Sequence, residues 1–224
     1  SPDMAAAIAA DLGVPLRRIT QELEKLPLRG YRLSARRVEK MGVAARKISV
    51  HLTARERHHR TFRDIDALIA RSGLSDSVKR HSREIFLAIA RAEAAVHRTR
   101  VANVHFHEVG ALDSILDIVG IAIGIEHLGV ETFYASPLPI GRGFIACRHG
   151  TLPLPAPATV RLLKRIPVHD AGIEGELVTP TGAAVIAHYV RCFDGLPPMT
   201  VTASGYGAGD REFADRPNLL RLIL

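Results

Sequence analysis

The chain is 224 residues long and 47% hydrophobic, which is enough apolar material for a real core and excludes a disordered chain. No uncharged apolar run reaches the roughly 18 residues of a membrane helix, and no charged-then-apolar leader is visible, so membrane and secretory classes are set aside. A net charge of +7 suits nucleotides and phosphates, whereas 5% aromatic content and no Trp leave few stacking platforms for single-stranded nucleic acid.

The two cysteines, Cys147 and Cys192, make no disulfide framework, and a cytoplasmic setting is expected. From Asp3 to Leu12 the chain is Ala-rich and helix-prone, with Gly13 as its stop. Pro15 opens a second helix with an apolar stripe of Leu16, Ile19, Leu23 and Leu26. From Tyr31 the period drops to two. Tyr31, Leu33 and Ala35, then Ile48, Val50 and Leu52, alternate around a turn near Gly42, which predicts a β-hairpin. Its polar face carries Arg32, Arg36, Lys40 and Lys47, either as a solvated edge or as an anion-facing surface. His58 and His59 fall in a polar break, where they could chelate together only in a loop. Phe62, Ile65, Leu68 and Ile69 predict a short helix. Ser75 caps a longer one with a heptad-like rhythm of Val78, Ile85, Ile89, Ala92 and Val96.

The stretch from Val104 to Gly120 concentrates the chemistry. In a strand, His105 and His107 share a face and Glu108 points opposite. Beyond Gly110 the spacing of Leu112, Ile115, Leu116, Val119 and Ile123 is helical, and Asp113 and Asp117 lie on one helix face. Two imidazoles and two carboxylates at a helix start can hold a divalent metal, and free N–H groups there can hold an anion. The structural alternative is a pair of strand histidines, with Asp113 merely complementing the helix dipole. Asp117 fits that alternative poorly, because it interrupts an apolar run from Ile115 to Ile125.

Gly129 ends that helix, and Phe133 to Leu138 reads as a strand. Farther on, Ile145, Cys147 and His149 share a strand face, which makes Cys147 and His149 either soft-metal ligands or packing residues. The Pro153, Pro155 and Pro157 run predicts an extended connector, followed by a helix from Ala158 to about Lys164 and a strand at Pro167–His169. Thr179 and Thr181, with the Gly182 and Ala183 N–H groups, can grip a phosphate or carboxylate; the alternative is Thr181 as a plain N-cap. Gly205 to Gly209 reads as a bend between terminal strands Thr200–Ser204 and Leu219–Leu224. Helices and strands mix without a clean βαβ alternation, so the expected class is α+β, a mixed sheet packed with several helices. The chain reads as a single domain over 1–224, divisible at about residue 100.

Taken together, DLGVPL, MGVAARKISV, ERHHRTFRDI, VHFHEVGALDSILDIVG, GFIACRHGTLPLPAPAT, ELVTPTGAA and GYGAGDREFADRPN run in one order along almost the whole chain. In that set the chain resembles the first domain of the LarC family, the nickel insertion proteins of nickel-pincer cofactor synthesis. The resemblance implies CTP-dependent insertion of Ni²⁺ into pyridinium-3,5-bisthiocarboxylic acid mononucleotide, a lyase-class activity that makes the cofactor of lactate racemase-type enzymes. It implies His105, His107, Asp113, Asp117, Cys147 and His149 as nickel ligands. Glu108 or His107 becomes the base that removes a pyridinium ring proton, and Thr179, Thr181 and Gly182 help hold the mononucleotide. CTP, with Mg²⁺ or Mn²⁺, is expected on a second domain. Two departures qualify the resemblance. The family's opening strand is missing, with Pro2 where Gly is expected, and the chain stops before the second domain. The fragment is therefore expected to bind nickel or precursor without completing the reaction. Expected partners are the family's C-terminal domain and further copies of this chain in a homo-oligomer, with no nucleic acid and no membrane. The competing expectation is a non-catalytic assembly or metal- and nucleotide-binding domain that supports the separate CTP-binding half.

Overall fold

Periodicity sets the helices in the computed structural model, which describes residues 7, 9–53, 60–104, 106, 112–147 and 150–224. Helix α1 (Leu16–Leu23) buries Ile19 and Leu23 on the expected stripe. Helix α2 (Phe62–Ala70) opens with a capping box: the Thr61 hydroxyl accepts the Asp64 N–H, and the Asp64 carboxylate accepts the Thr61 N–H at 2.9 Å. Helix α3 (Asp76–His97) starts at Ser75, whose hydroxyl accepts the Val78 N–H at 3.1 Å. It buries Val78, Ile85, Phe86 and Ile89. Helix α4 (Leu112–Leu128) is buried on almost every side from Ile115 to Gly124 and ends at Gly129, where φ is +64°. A helix apolar all round belongs in the interior, and α4 packs against both α1 and α3. A Cβ at Gly124 would lie 2.8 Å from the Ala9 Cβ, so glycine lets the chain at Ala9 press onto α4.

Strands β1 (Tyr31–Lys40) and β2 (Val43–Leu52) pair antiparallel in unbroken register from Tyr31↔Leu52 to Lys40↔Val43. Met41 and Gly42, at φ +49° and +81°, make the two-residue turn whose twist suits a hairpin. The strand expected from Phe133 to Leu138 is two strands, β3 (Phe133–Tyr134) and β4 (Leu138–Arg142). Pro137, which has no N–H to donate, lies in the break. Strands β5 (Phe144–Cys147) and β6 (Gly150–Pro153) pair antiparallel and lead to helix α5 (Pro157–Leu162). Strand β7 (Val168–Glu174) pairs parallel with β4. Helix α6 (Pro180–Tyr189) runs straight into β8 (Val190–Cys192), which pairs parallel with β3. Both α5 and α6 pack on α3, which is thus the hub of the helical layer.

Strands β9 (Ser204–Ala208) and β10 (Leu219–Ile223) complete a four-stranded sheet in the order β1-β2-β9-β10. Strand β9 runs parallel to β2 through Arg46↔Gly207 and antiparallel to β10, so the fold is α+β with a mixed sheet, as expected. The glycine-rich segment is a strand rather than a bend. Gly205 and Gly207 are buried in β9, between β2 and β10. The connection from β9 to β10 is anchored to the hairpin by ion pairs of Lys40 with Glu212 and Lys47 with Asp210. Those two lysines of the hairpin's polar face are therefore held by carboxylates. Asp11 adds a third tie by accepting the Tyr206 N–H at 2.9 Å.

Candidate functional site

Three neighbourhoods carry the residues singled out by the sequence. The first is the start of α4. Val104 and Phe106 are buried, and the Phe106 ring lies 6.2 Å from that of Phe86 on α3. The carbonyl of Val104 accepts the Phe62 N–H, which ties this segment to α2. Asp113 is exposed, and its carboxylate accepts the Ser114 N–H at 2.7 Å. Asp117 follows one turn later and is half-buried. His105, His107 and Glu108 lie outside the described residues, as do His58 and His59.

The second neighbourhood is a concavity of about 620 Å³ between β4, β7 and α5. Ile140, Leu154, Val160 and Leu163 give it an apolar lining, and Arg142, His169 and Asp170 supply its polar groups. The Arg142 Nε donates to both Asp170 carboxylate oxygens, at 3.0 and 2.8 Å, and its Nη2 also reaches Oδ2. The Gly172 N–H donates to the same carboxylate at 2.8 Å. The Arg142 guanidinium first, and the Gly172 N–H second, hold the Asp170 carboxyl below the usual carboxylate range. Close backbone packing makes this geometry. A Cβ at Gly141 would fall 1.8 Å from the Gly175 carbonyl oxygen, so β4 can approach the end of β7 only with glycine there. Next along the chain, β5 ends at Cys147, half-buried, with Sγ donating to the Gly150 carbonyl at 3.3 Å. His149 lies outside the described residues.

The third neighbourhood is the start of α6. Thr179, not Thr181, is the N-cap, and its hydroxyl accepts the Gly182 N–H at 3.1 Å. The Ala183 N–H donates to the Thr179 carbonyl at 2.9 Å. Both N–H groups that the sequence offered to a phosphate are engaged within the cap. The side chain of Thr181 is buried beneath it. Pro180 at the first helical position fixes this choice, because the residue before a proline is steered to the extended backbone that an N-cap needs.

Among the described residues, Asp113, Asp117 and Cys147 belong to no group of three or more metal-ligating side chains. The convergent group is His81, Glu84 and His188, one ligand atom of each lying within 4.8 Å of the others. His81 and Glu84 stand one turn apart on α3, and His188 is near the end of α6. Burial lowers the pKa of both imidazoles, with Arg80 acting next on His81 and His81 acting next on His188. Sequence reading missed the group. The H-x-x-E spacing on α3 was the local signal, but its partner lies 107 residues away.

A family model described as "Nickel insertion protein" matches residues 1–224. Relatives named for nickel insertion include one from Citrifermentans bemidjiense, 51% identical over 222 residues, covering 99% of this chain and 58% of the relative. One from Geotalea daltonii is 50% identical, covering 99% and 57%. Another from Wolinella succinogenes is 50% identical, covering 100% and 57%. The chain thus spans less than two thirds of the length of the curated relatives it matches. No solved structure matches it. Among the described residues, no helix is long and apolar enough to cross a membrane.

Proposed function

The chain belongs to the nickel insertion protein family, and from that premise we propose that it is the part of a CTP-dependent nickel insertase that receives Ni²⁺ and the organic precursor. The observation that carries this reading is the family match over all 224 residues, which includes every motif quoted above. The substrate is pyridinium-3,5-bisthiocarboxylic acid mononucleotide. His105, His107, Asp113, Asp117, Cys147 and His149 are the set from which Ni²⁺ is held and passed on, a mixture of imidazole, carboxylate and thiolate that suits this ion. Two precursor sulfurs displace ligands from the metal. One ring C–H bond breaks as the Ni–C bond forms, and the proton goes to Glu108 or His107.

The concavity beside Arg142 supports a place for the precursor. Its apolar lining suits a flat pyridinium ring, and Arg142 can exchange the exposed Asp170 carboxylate for a phosphate of higher charge. Thr179, Thr181 and Gly182 contribute through the shape of the α6 start rather than through free N–H groups. CTP and its divalent ion fall to the portion of the relatives that this chain does not span. The cytoplasm is the proposed setting.

Calorimetric titration of the metal-free chain with Ni²⁺ tests the metal half of the proposal. A His105→Ala/His107→Ala variant is expected to bind more weakly at one site by at least the roughly 10- to 100-fold that loss of an outer-shell partner costs. Equal affinities in the two proteins would remove these histidines from the nickel path.

A further inference from the structure

We propose that His81, Glu84 and His188 form a second divalent transition-metal site, on the seam between α3 and α6 and made of none of the residues assigned to nickel delivery. The two imidazoles already meet edge-on, with ring centroids 5.1 Å apart and planes at 74°. His81 Nδ1 and His188 Nε2 lie 2.8 Å apart. With metal–nitrogen bonds of about 2.1 Å, two adjacent ligands of an octahedral ion sit about 3 Å apart, so both nitrogens can reach one cation with little movement. Glu84 supplies the third ligand and the negative charge. Its side chain is exposed and free to turn inward, and its carboxylate is already 3.8 Å from His188 Nδ1. Solvent reaches all three groups, since none is fully buried, so a cation can enter and its remaining positions can carry water.

The hydrogen-bond pattern shows what the cation replaces. The Arg80 guanidinium can only donate, so the His81 Nε2 at 3.2 Å accepts from it. The proton of neutral His81 then sits on Nδ1 and is donated to His188 Nε2. A cation takes the place of that shared proton. The proton moves to Nε2 of His81, Arg80 swings away, and both lone pairs face the metal. No net proton is released. The rings are held for this by Tyr189, whose ring centroid lies 5.2 Å from His81 and 4.7 Å from His188. Two nitrogens and one carboxylate oxygen select borderline ions of the Ni²⁺ and Zn²⁺ kind over Ca²⁺ or Mg²⁺. Because the ligands come from two helices, the bound ion clamps α6 to α3.

The test uses the full metal-free chain, with Ni²⁺ and Zn²⁺ as probes. Wild type is expected to bind one more equivalent than a His81→Ala/His188→Gln variant, or to bind that equivalent more tightly by at least the roughly 10- to 100-fold that loss of an outer-shell partner costs. Ni²⁺ should also raise the thermal midpoint of wild type more than that of the variant, as expected when a ligand binds only the folded state. Glu84→Gln, on an exposed position, gives the same reading if the double variant fails to fold. The His105→Ala/His107→Ala variant must keep this equivalent, which separates failure here from failure of the delivery site. Equal stoichiometry, affinity and midpoint response in wild type, the double variant and Glu84→Gln would overturn the proposal.

Discussion

The helical layer and the β4–β7 ladder are held together by different physics. Around α3 and α4, stability comes from burial: Ile65, Ile85, Phe86, Ile89, Ile115 and Ile118 are wholly inaccessible to solvent. Around β4 and β7, backbones pass so closely that glycine is obligatory at residue 141, and the polar contacts of Arg142 with Asp170 stand in solvent. The first arrangement resists change. The second leaves a concavity with exchangeable polar groups, which is what a site that must take in and release a charged molecule requires.

Substitutions can break or sharpen this contrast. The largest effect is expected from Phe86→Ala, which empties the hub and should cost about 3–5 kcal/mol in urea unfolding. A cost below about 1 kcal/mol would mean that the helical layer is not close-packed. Gly141→Ala should come next, at about 1–3 kcal/mol from overpacking against Gly175. Hydrogen exchange gives the sharper reading: protection should fall along β4 and β7 while α3 and α4 keep theirs. Equal loss in both would make the two regions one cooperative unit. Ser75→Ala removes the cap of α3 and its 2.6 Å hydrogen bond to Glu126 on α4, for about 1 kcal/mol. Smallest of all, Arg142→Gln should leave the thermal midpoint unchanged, because its partner is exposed. The same variant should weaken capture of the bisthiocarboxylate mononucleotide in an equilibrium binding assay. A shifted midpoint with unchanged binding would make Arg142 a structural residue.

The layer built by burial was legible in the sequence, and the ladder region much less so. The stripes of α1 and α3, the Ser75 cap, the stop at Gly129 and the β1–β2 hairpin all follow from spacings of a few residues. Glycines at 205 and 207 suggest a bend locally, yet they lie in a strand between β2 and β10, and the pairing that makes it one comes from residues far away in sequence, such as Arg46. Spacing alone offers Thr181 as a cap, where Pro180 selects Thr179. Arg142 meets Asp170, and His81 meets His188, only because of how the strands and helices stack, and no periodicity encodes those meetings. The stretch from His105 to Asp117 stands out in the sequence by composition. Of the nickel ligands proposed there, the structure describes Asp113 and Asp117, both on α4.

The order of the four-stranded sheet has a consequence for how the protein is made. The hairpin of β1 and β2, which ends at Leu52, leaves the ribosome well before its neighbour β9, which begins at Ser204. Until β9 follows, the rim of β2 that it will cover has no partner, and an open rim invites neighbouring nascent chains. Arg46 and Lys47 stand on β2 in the meantime as a charged guard, and Lys47 gains its Asp210 partner only with the β9–β10 connection.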